Sequence, residues 1–141
     1  MQMSDEERIQ KIIKLFGWWE ITASSWVESE GRCVYCGLDL LDNLAVGTCA
    51  PTDHLLPKAN PKYKHLEQHR ANCVLSCPRC HSFKGQWDPL TVFKTTLAPD
   101  QVIHDQRPQL IERIREYLAE RRIKNDQVRE DLRSIVRGGK E

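Results

Sequence analysis

Two Cys-x-x-Cys turns, Cys33-Val34-Tyr35-Cys36 and Cys77-Pro78-Arg79-Cys80, constrain this chain more than any other feature. One such turn lets two thiolates reach the same ion. Two turns complete a tetrahedron, so structural zinc on Cys33, Cys36, Cys77 and Cys80 is the expected occupant. Forty residues separate Cys36 from Cys77, so the ion ties distant segments together. A thioredoxin-like dithiol needs one pair in a βαβ setting, and that setting is absent. Cys49 and Cys73 are left over and are expected to be buried small hydrophobes. A second zinc site drawing on Cys49, Cys73, His65 or His69 is the less favoured alternative.

The 141 residues suggest one domain with a helical appendage. The middle third has few apolar runs, so a metal there supplies stability that packing does not. No apolar run reaches membrane-spanning length, which excludes a helical membrane protein. The first residues lack the basic start and apolar stretch of a signal peptide. A cytoplasmic protein is expected, in which thiols stay reduced.

Around the cysteines lie groups suited to reactive chemistry. Asp53 offers a hard oxygen to a divalent cation, and His54 offers an imidazole that titrates near neutral pH, suited to act as a base on a water. His81 directly follows the last cysteine, so a zinc staple fixes its backbone while the zinc itself is already full. Asn72 is suited to hold a loop through side-chain-to-backbone bonds. The formal net charge is only +1, but residues 54–87 carry Lys58, Lys62, Lys64, Arg70, Arg79 and Lys84 against Glu67 alone. Residues 1–30 are net acidic. The basic patch suits a phosphate-bearing partner, and Lys84-Gly85 suits close approach to a phosphate.

Ser4 and Glu7 predict a capping-box helix start, followed by Ile9, Ile12, Ile13 and Phe16 at helical spacing, with Gly17 ending or kinking the helix. Trp18, Trp19 and Trp26 in the next amphipathic segment are either a nucleic-acid stacking surface or core; core is the favoured reading. Residues 44–46 and 54–56 read as short strands, 57–61 as a loop, 72–76 as an extended entry to the second knuckle and 79–85 as a short helix. Pro89 opens a further helical turn. Beyond Pro108 the pattern predicts two helices, because the apolar phase slips near 121–126, with Gly138-Gly139 as the stop.

Gly31-Arg32-Cys33-Val34-Tyr35-Cys36-Gly37, Asp53-His54-Leu55-Leu56-Pro57, Asn72-Cys73-Val74-Leu75-Ser76-Cys77-Pro78-Arg79-Cys80-His81 and Lys84-Gly85 occur together and in order. In this they resemble the HNH endonuclease family, specifically its branch with four zinc-binding cysteines. The three signature positions fall on His54, Asn72 and His81. The resemblance covers about residues 31–88. It implies an α+β fold: a small zinc-stapled ββα-metal, treble-clef-like core (31–88) between an N-terminal helical flank (1–30) and a C-terminal helical region (89–141). It implies that Asp53 and His81 bind one catalytic Mg²⁺ or Mn²⁺, that His54 is the general base, and that Asn72 orients the His54 loop. Lys58, Lys62, Lys64, Arg79 and Lys84 are then the candidate phosphate contacts. His65 and His69, in a long His54-to-Asn72 connection, are candidates to replace or supplement a cation ligand.

The function so implied is metal-dependent hydrolysis of phosphodiester bonds in DNA, with double-stranded DNA as the expected partner. The alternative is a non-catalytic zinc-dependent module that binds nucleic acid. The C-terminal helices either pair two subunits or another protein, or cover the core of their own chain, and the sequence leaves both open.

Overall fold

The computed structural model describes residues 2–138, with the backbone alone for Leu44. Helix α1 (Asp5–Phe16) starts at Ser4, whose hydroxyl accepts from the Glu7 amide while the Glu7 carboxylate accepts from the Ser4 amide. Gly17 ends it at φ 68°, a left-handed turn that costs glycine little. Helix α2 (Glu20–Glu28) follows after two residues of linker and a cap at Trp19, and lies against the sheet. Its buried face is Ala23, Ser24 and Ser25, small enough for helix and strands to approach closely.

The small inward face excludes Trp18 and Trp19, which corrects the core reading for those two. Trp18 packs between the rings of Phe16 and Trp26, with centroids at 6.0 and 5.5 Å. Trp19 is 84% exposed. Only Trp26, half-buried, packs against the main core.

After α2 the chain forms the first knuckle, closed by a bridge between Arg32 and Asp39. The predicted strand at 44–46 is instead a helical turn, α3 (Leu44–Gly47). Its end must be glycine, since a Cβ at Gly47 would lie 2.3 Å from the Leu40 carbonyl oxygen. Strand β1 (Thr52–His54) pairs antiparallel with β2 (Cys73–Leu75), in the register Thr52 with Leu75, Asp53 with Val74 and His54 with Cys73. The strand expected at 54–56 therefore begins two residues earlier and ends at His54. Leu55 and Leu56 are both fully buried, which an alternating half-exposed strand cannot accommodate, so the chain turns inward there.

Between the strands run two 3₁₀ segments, Pro61–Leu66 and Arg70–Asn72. β2 leads into α4 (Pro78–Lys84), which carries the second knuckle. A further 3₁₀ turn, Pro89–Thr91, is capped by the Asp88 carboxylate, and α5 (Pro99–Asp105) follows. The strands, α4 and the cysteines thus make a small ββα core within a helical molecule.

The two helices predicted beyond Pro108 are one, α6 (Arg107–Arg137). No Gly or Pro interrupts 121–126, so the slip in apolar phase moves the stripe around the helix without breaking it. Arg79 clamps that stretch by an ion pair to Asp126 at 2.7 Å. Leu110, Ile111, Ile114 and Leu118 are buried in the same cluster as Leu55, Leu56, Val74 and Leu75. The first half of α6 therefore covers the core of its own chain. Val128, Leu132, Ile135 and Val136 stand exposed on the second half. Gly138 caps the helix in a left-handed conformation, and Gly139 lies outside the described residues. Among the described residues no helix is long and apolar enough to cross a membrane.

Candidate active site and metal centre

The first knuckle delivers Cys33 and Cys36 from a tight turn in which the Gly37 amide donates to the Cys33 carbonyl. The second delivers Cys77, the cap residue of α4, and Cys80 from its first turn. All four Sγ atoms lie within 4.8 Å of one another, and Cys36 and Cys77 are 3.7 Å apart. Zn–S bonds of about 2.3 Å at tetrahedral angles put sulfurs about 3.8 Å apart. The cluster has the dimensions and the soft donor set of a zinc site. Arg122 reaches Cys80 Sγ at 3.6 Å, which offsets part of the charge of four thiolates.

Among the described residues this is the one group of three or more acidic, histidine or cysteine side chains close enough to share an ion. Among the described residues, Cys49, Cys73, His65 and His69 therefore form no second such group. Cys49 is exposed, contrary to expectation, and Cys73 is buried. His65 and His69 do not join the cation site. His65 is turned to Asp100 at 2.8 Å, and His69 packs edge-on to His104 while its Nδ1 accepts from the Ala71 amide.

Strand β1 and helix α4 bring Asp53, His54 and His81 to one cleft of about 290 Å³, which Lys58 and Gly85 also line. Asp53 is buried, and its two oxygens have separate partners. Oδ2 accepts from the Tyr35 hydroxyl at 2.6 Å and lies 3.5 Å from the Lys84 ammonium. Oδ1 faces His81 Nδ1 at 2.9 Å. Two adjacent ligands of an octahedral ion at about 2.1 Å are about 3.0 Å apart. The 2.9 Å separation is close to that, but because a carboxylate only accepts, it is here a hydrogen bond from the His81 Nδ1–H, and the pair would offer a hard oxygen and an imidazole nitrogen to Mg²⁺ or Mn²⁺ once that proton is displaced.

His54 Nε2 lies 2.9 Å from the Glu67 carbonyl oxygen. A carbonyl only accepts, so Nε2 carries the proton and Nδ1 keeps its lone pair. Burial lowers the imidazole's proton affinity below its ordinary value, with Lys58 and Lys84 acting in the same direction and the Glu67 carbonyl and Asp53 opposing. Asn72 is completely buried and holds the chain just beyond His54. Its Oδ1 accepts from the Leu56 amide at 2.8 Å, and its Nδ2 donates to the carbonyls of Leu56 and Leu66.

The expected phosphate contacts divide. Lys58 lines the cleft, and Lys62 and Lys64 are exposed on the 3₁₀ segment that follows Lys58 in the chain. Arg79 faces α6 and is paired there. Lys84 corrects the sequence reading outright. It is 2% exposed, and its ammonium donates to the His54 carbonyl at 2.6 Å, so it cannot reach a phosphate.

Sequence reasoning missed Tyr35 as a partner of Asp53, although its place inside the first knuckle was visible. It could not have found the Glu67 carbonyl, a backbone group that any residue supplies. No curated protein and no solved structure matches the chain. Residues 33–86, with their four-cysteine cluster and two-strand-and-helix core, match the family model described as HNH endonuclease.

Proposed function

We propose that the chain is a metal-dependent endonuclease that hydrolyses phosphodiester bonds in DNA. The observation that carries this is the tautomer-locked His54, with Nδ1 unprotonated, across a single cleft from the paired Asp53 and His81.

Asp53 and His81 hold the cation, and Asn72 keeps the His54 loop in place. Mg²⁺ or Mn²⁺ bound there supplies Lewis-acid stabilisation of the charge that builds on the phosphate and the leaving oxygen. His54 Nδ1 takes a proton from a water, whose oxygen attacks phosphorus in line with the 3′ oxygen. The new P–O bond forms as the P–O3′ bond breaks, leaving a 5′-phosphate and a 3′ oxygen that takes a proton from solvent. Lys58, Lys62 and Lys64 neutralise neighbouring phosphates. Zinc on the four cysteines is structural. Residues 31–88 are the catalytic unit, with 1–30 and 89–141 as its flanks. A reducing compartment such as the cytoplasm keeps the thiols available as ligands.

The test is a supercoiled-plasmid assay with and without Mg²⁺ or Mn²⁺, comparing wild type with His54→Ala at equal zinc content. Divalent-dependent nicking or linearisation by the wild type alone supports the reading. Because one site cuts one strand, the ratio of linear to nicked product reports whether two copies act together. Equal DNA binding by both proteins with cleavage by neither points to a non-catalytic zinc module.

A further inference from the structure

A second groove, of about 550 Å³, opens beside the cleft and shares Thr52, His54 and Lys58 with it. We propose that this groove is a nucleobase subsite in which the Trp19 indole stacks on a base next to the scissile phosphate. The proposal rests on the nuclease reading of the cleft.

Trp18 and Trp19 are adjacent, but their environments differ. Trp18 has aromatic neighbours on both sides, whereas Trp19 lines the groove with both faces of its ring unoccupied by any other ring among the described residues. An indole so exposed is uncommon and points to a partner that covers it. The platform is also fixed. The chain enters it from the Gly17 cap, the Trp19 carbonyl accepts the Ala23 amide at 2.9 Å, and Arg70 ties Glu20 and Glu6 to the turn that precedes Asn72. The elements that place Trp19 therefore connect directly to those that place His54.

Charge distinguishes the two ends. At the shared end Lys58 stands ready for a phosphate. At the Trp19 end Arg70 is already paired with Glu6 and Glu20, and the adjacent Glu20 also lines the wall. That end repels phosphate and suits a neutral heteroaromatic ring. The volume is in the range of small-molecule sites.

A base within a duplex is already stacked on both faces. Stacking on Trp19 therefore needs a base that is single-stranded, frayed or splayed from a junction, and a fully paired substrate must open locally at some cost. The geometry thus selects DNA with an unpaired nucleotide beside the cut.

The test measures binding in the His54→Ala background without divalent cation, so cleavage does not enter. The probes are an end-labelled, mixed-sequence single strand and the same strand in a blunt duplex, read by anisotropy at one salt concentration. Adding Trp19→Ala is expected to weaken single-strand binding about tenfold, with duplex binding changed by less than about twofold and with Trp19→Phe retaining most of the affinity. An unchanged single-strand affinity overturns the proposal, as does an equal loss on both probes. If Trp19→Ala leaves both probes unchanged but abolishes self-association in sedimentation, the indole belongs to a protein interface and the proposal falls. If wild type cuts plasmid while Trp19→Ala leaves single-strand affinity unchanged, the stacking site falls and the nuclease stands. If the parent protein binds neither probe, both readings fall together.

Discussion

The Lys84 ammonium donates to the His54 backbone carbonyl at 2.6 Å from a position that solvent scarcely touches. The same ammonium lies 3.5 Å from Asp53 Oδ2. One cation from α4 therefore braces both site residues of β1 and helps commit Oδ2, which leaves Oδ1 to face His81. Burial pulls its proton affinity down, and Asp53 pulls it back up. Removing one partner of a buried pair leaves the other uncompensated. Lys84→Met is expected to cost about 3 kcal/mol in denaturant unfolding and to weaken Mn²⁺ binding. Because Lys84 reaches no phosphate, the salt dependence of DNA binding should be unchanged. Lys58→Ala, by contrast, should reduce the slope of log K against log salt by about 0.9 on duplex DNA. A reduced slope for Lys84→Met would contradict its placement.

His54 links mechanism to pH. Its imidazole is held below its ordinary value chiefly by burial, so the neutral, proton-accepting form prevails above about pH 6.5. Cleavage by the wild type should be flat there and fall on an acid limb whose midpoint lies below that value. The unfolded chain binds this proton more tightly than the folded one. The group's contribution to stability is therefore complete above about pH 6.5 and is lost as pH falls through the folded value. His54→Ala should lose about 10²-fold or more in rate and show a smaller drop in melting temperature between neutral and mildly acidic pH. An identical acid-side drop in the variant would show that other groups carry the dependence.

The cysteine framework and the order of Asp53, His54, Asn72 and His81 were legible because each is a short motif whose meaning lies in local spacing. Lys84 was not. A lysine beside glycine reads as a phosphate contact, and its burial is decided by β1, thirty residues away in sequence. Trp19 was misread for a related reason. Amphipathic spacing marks a tryptophan as core, but the inward face of α2 had already been filled by Ala23, Ser24 and Ser25. The division of α6 into two helices took a drifting apolar stripe for a break. Only the absence of Gly or Pro at 121–126, and the Arg79–Asp126 clamp, shows that the helix continues.

Asn72 makes three hydrogen bonds from a position with no solvent contact, all to backbone groups around the His54 loop. Asn72→Ala strands the Leu56 amide and two carbonyls in the core. The expected cost is about 3 kcal/mol or more, since each buried unsatisfied group forfeits about 1–3 kcal/mol. Asn72→Asp keeps the acceptor but aims a carboxylate at two carbonyl oxygens, and is expected to be no better. Both should lose activity beyond their loss of folded population, because Leu56 lies two residues from His54. Equilibrium unfolding and cleavage at saturating Mg²⁺ on the folded fraction separate the two effects. A stability change under about 1 kcal/mol would show that the loop holds itself.

Metal removal should dismantle the core, and the magnitudes say so. Structural zinc on such ligands contributes about 10–16 kcal/mol in small zinc-binding peptides, against about 5–15 kcal/mol of net stability for a whole domain. The cluster joins the first knuckle to the end of β2 and the start of α4, so its loss releases the elements that place Asp53 and His81. A zinc-selective chelator in excess Mg²⁺ should abolish the ordered near-ultraviolet dichroism and the cleavage together, and zinc should restore both. Cys77→Ser should reproduce the chelated state through the lost ligand alone, since a serine hydroxyl still caps α4. Cys49→Ser, at an exposed thiol outside the cluster, should bind zinc and fold as the wild type does. Persistence of the folded signal after zinc extraction would assign the core's stability to packing by α6 instead.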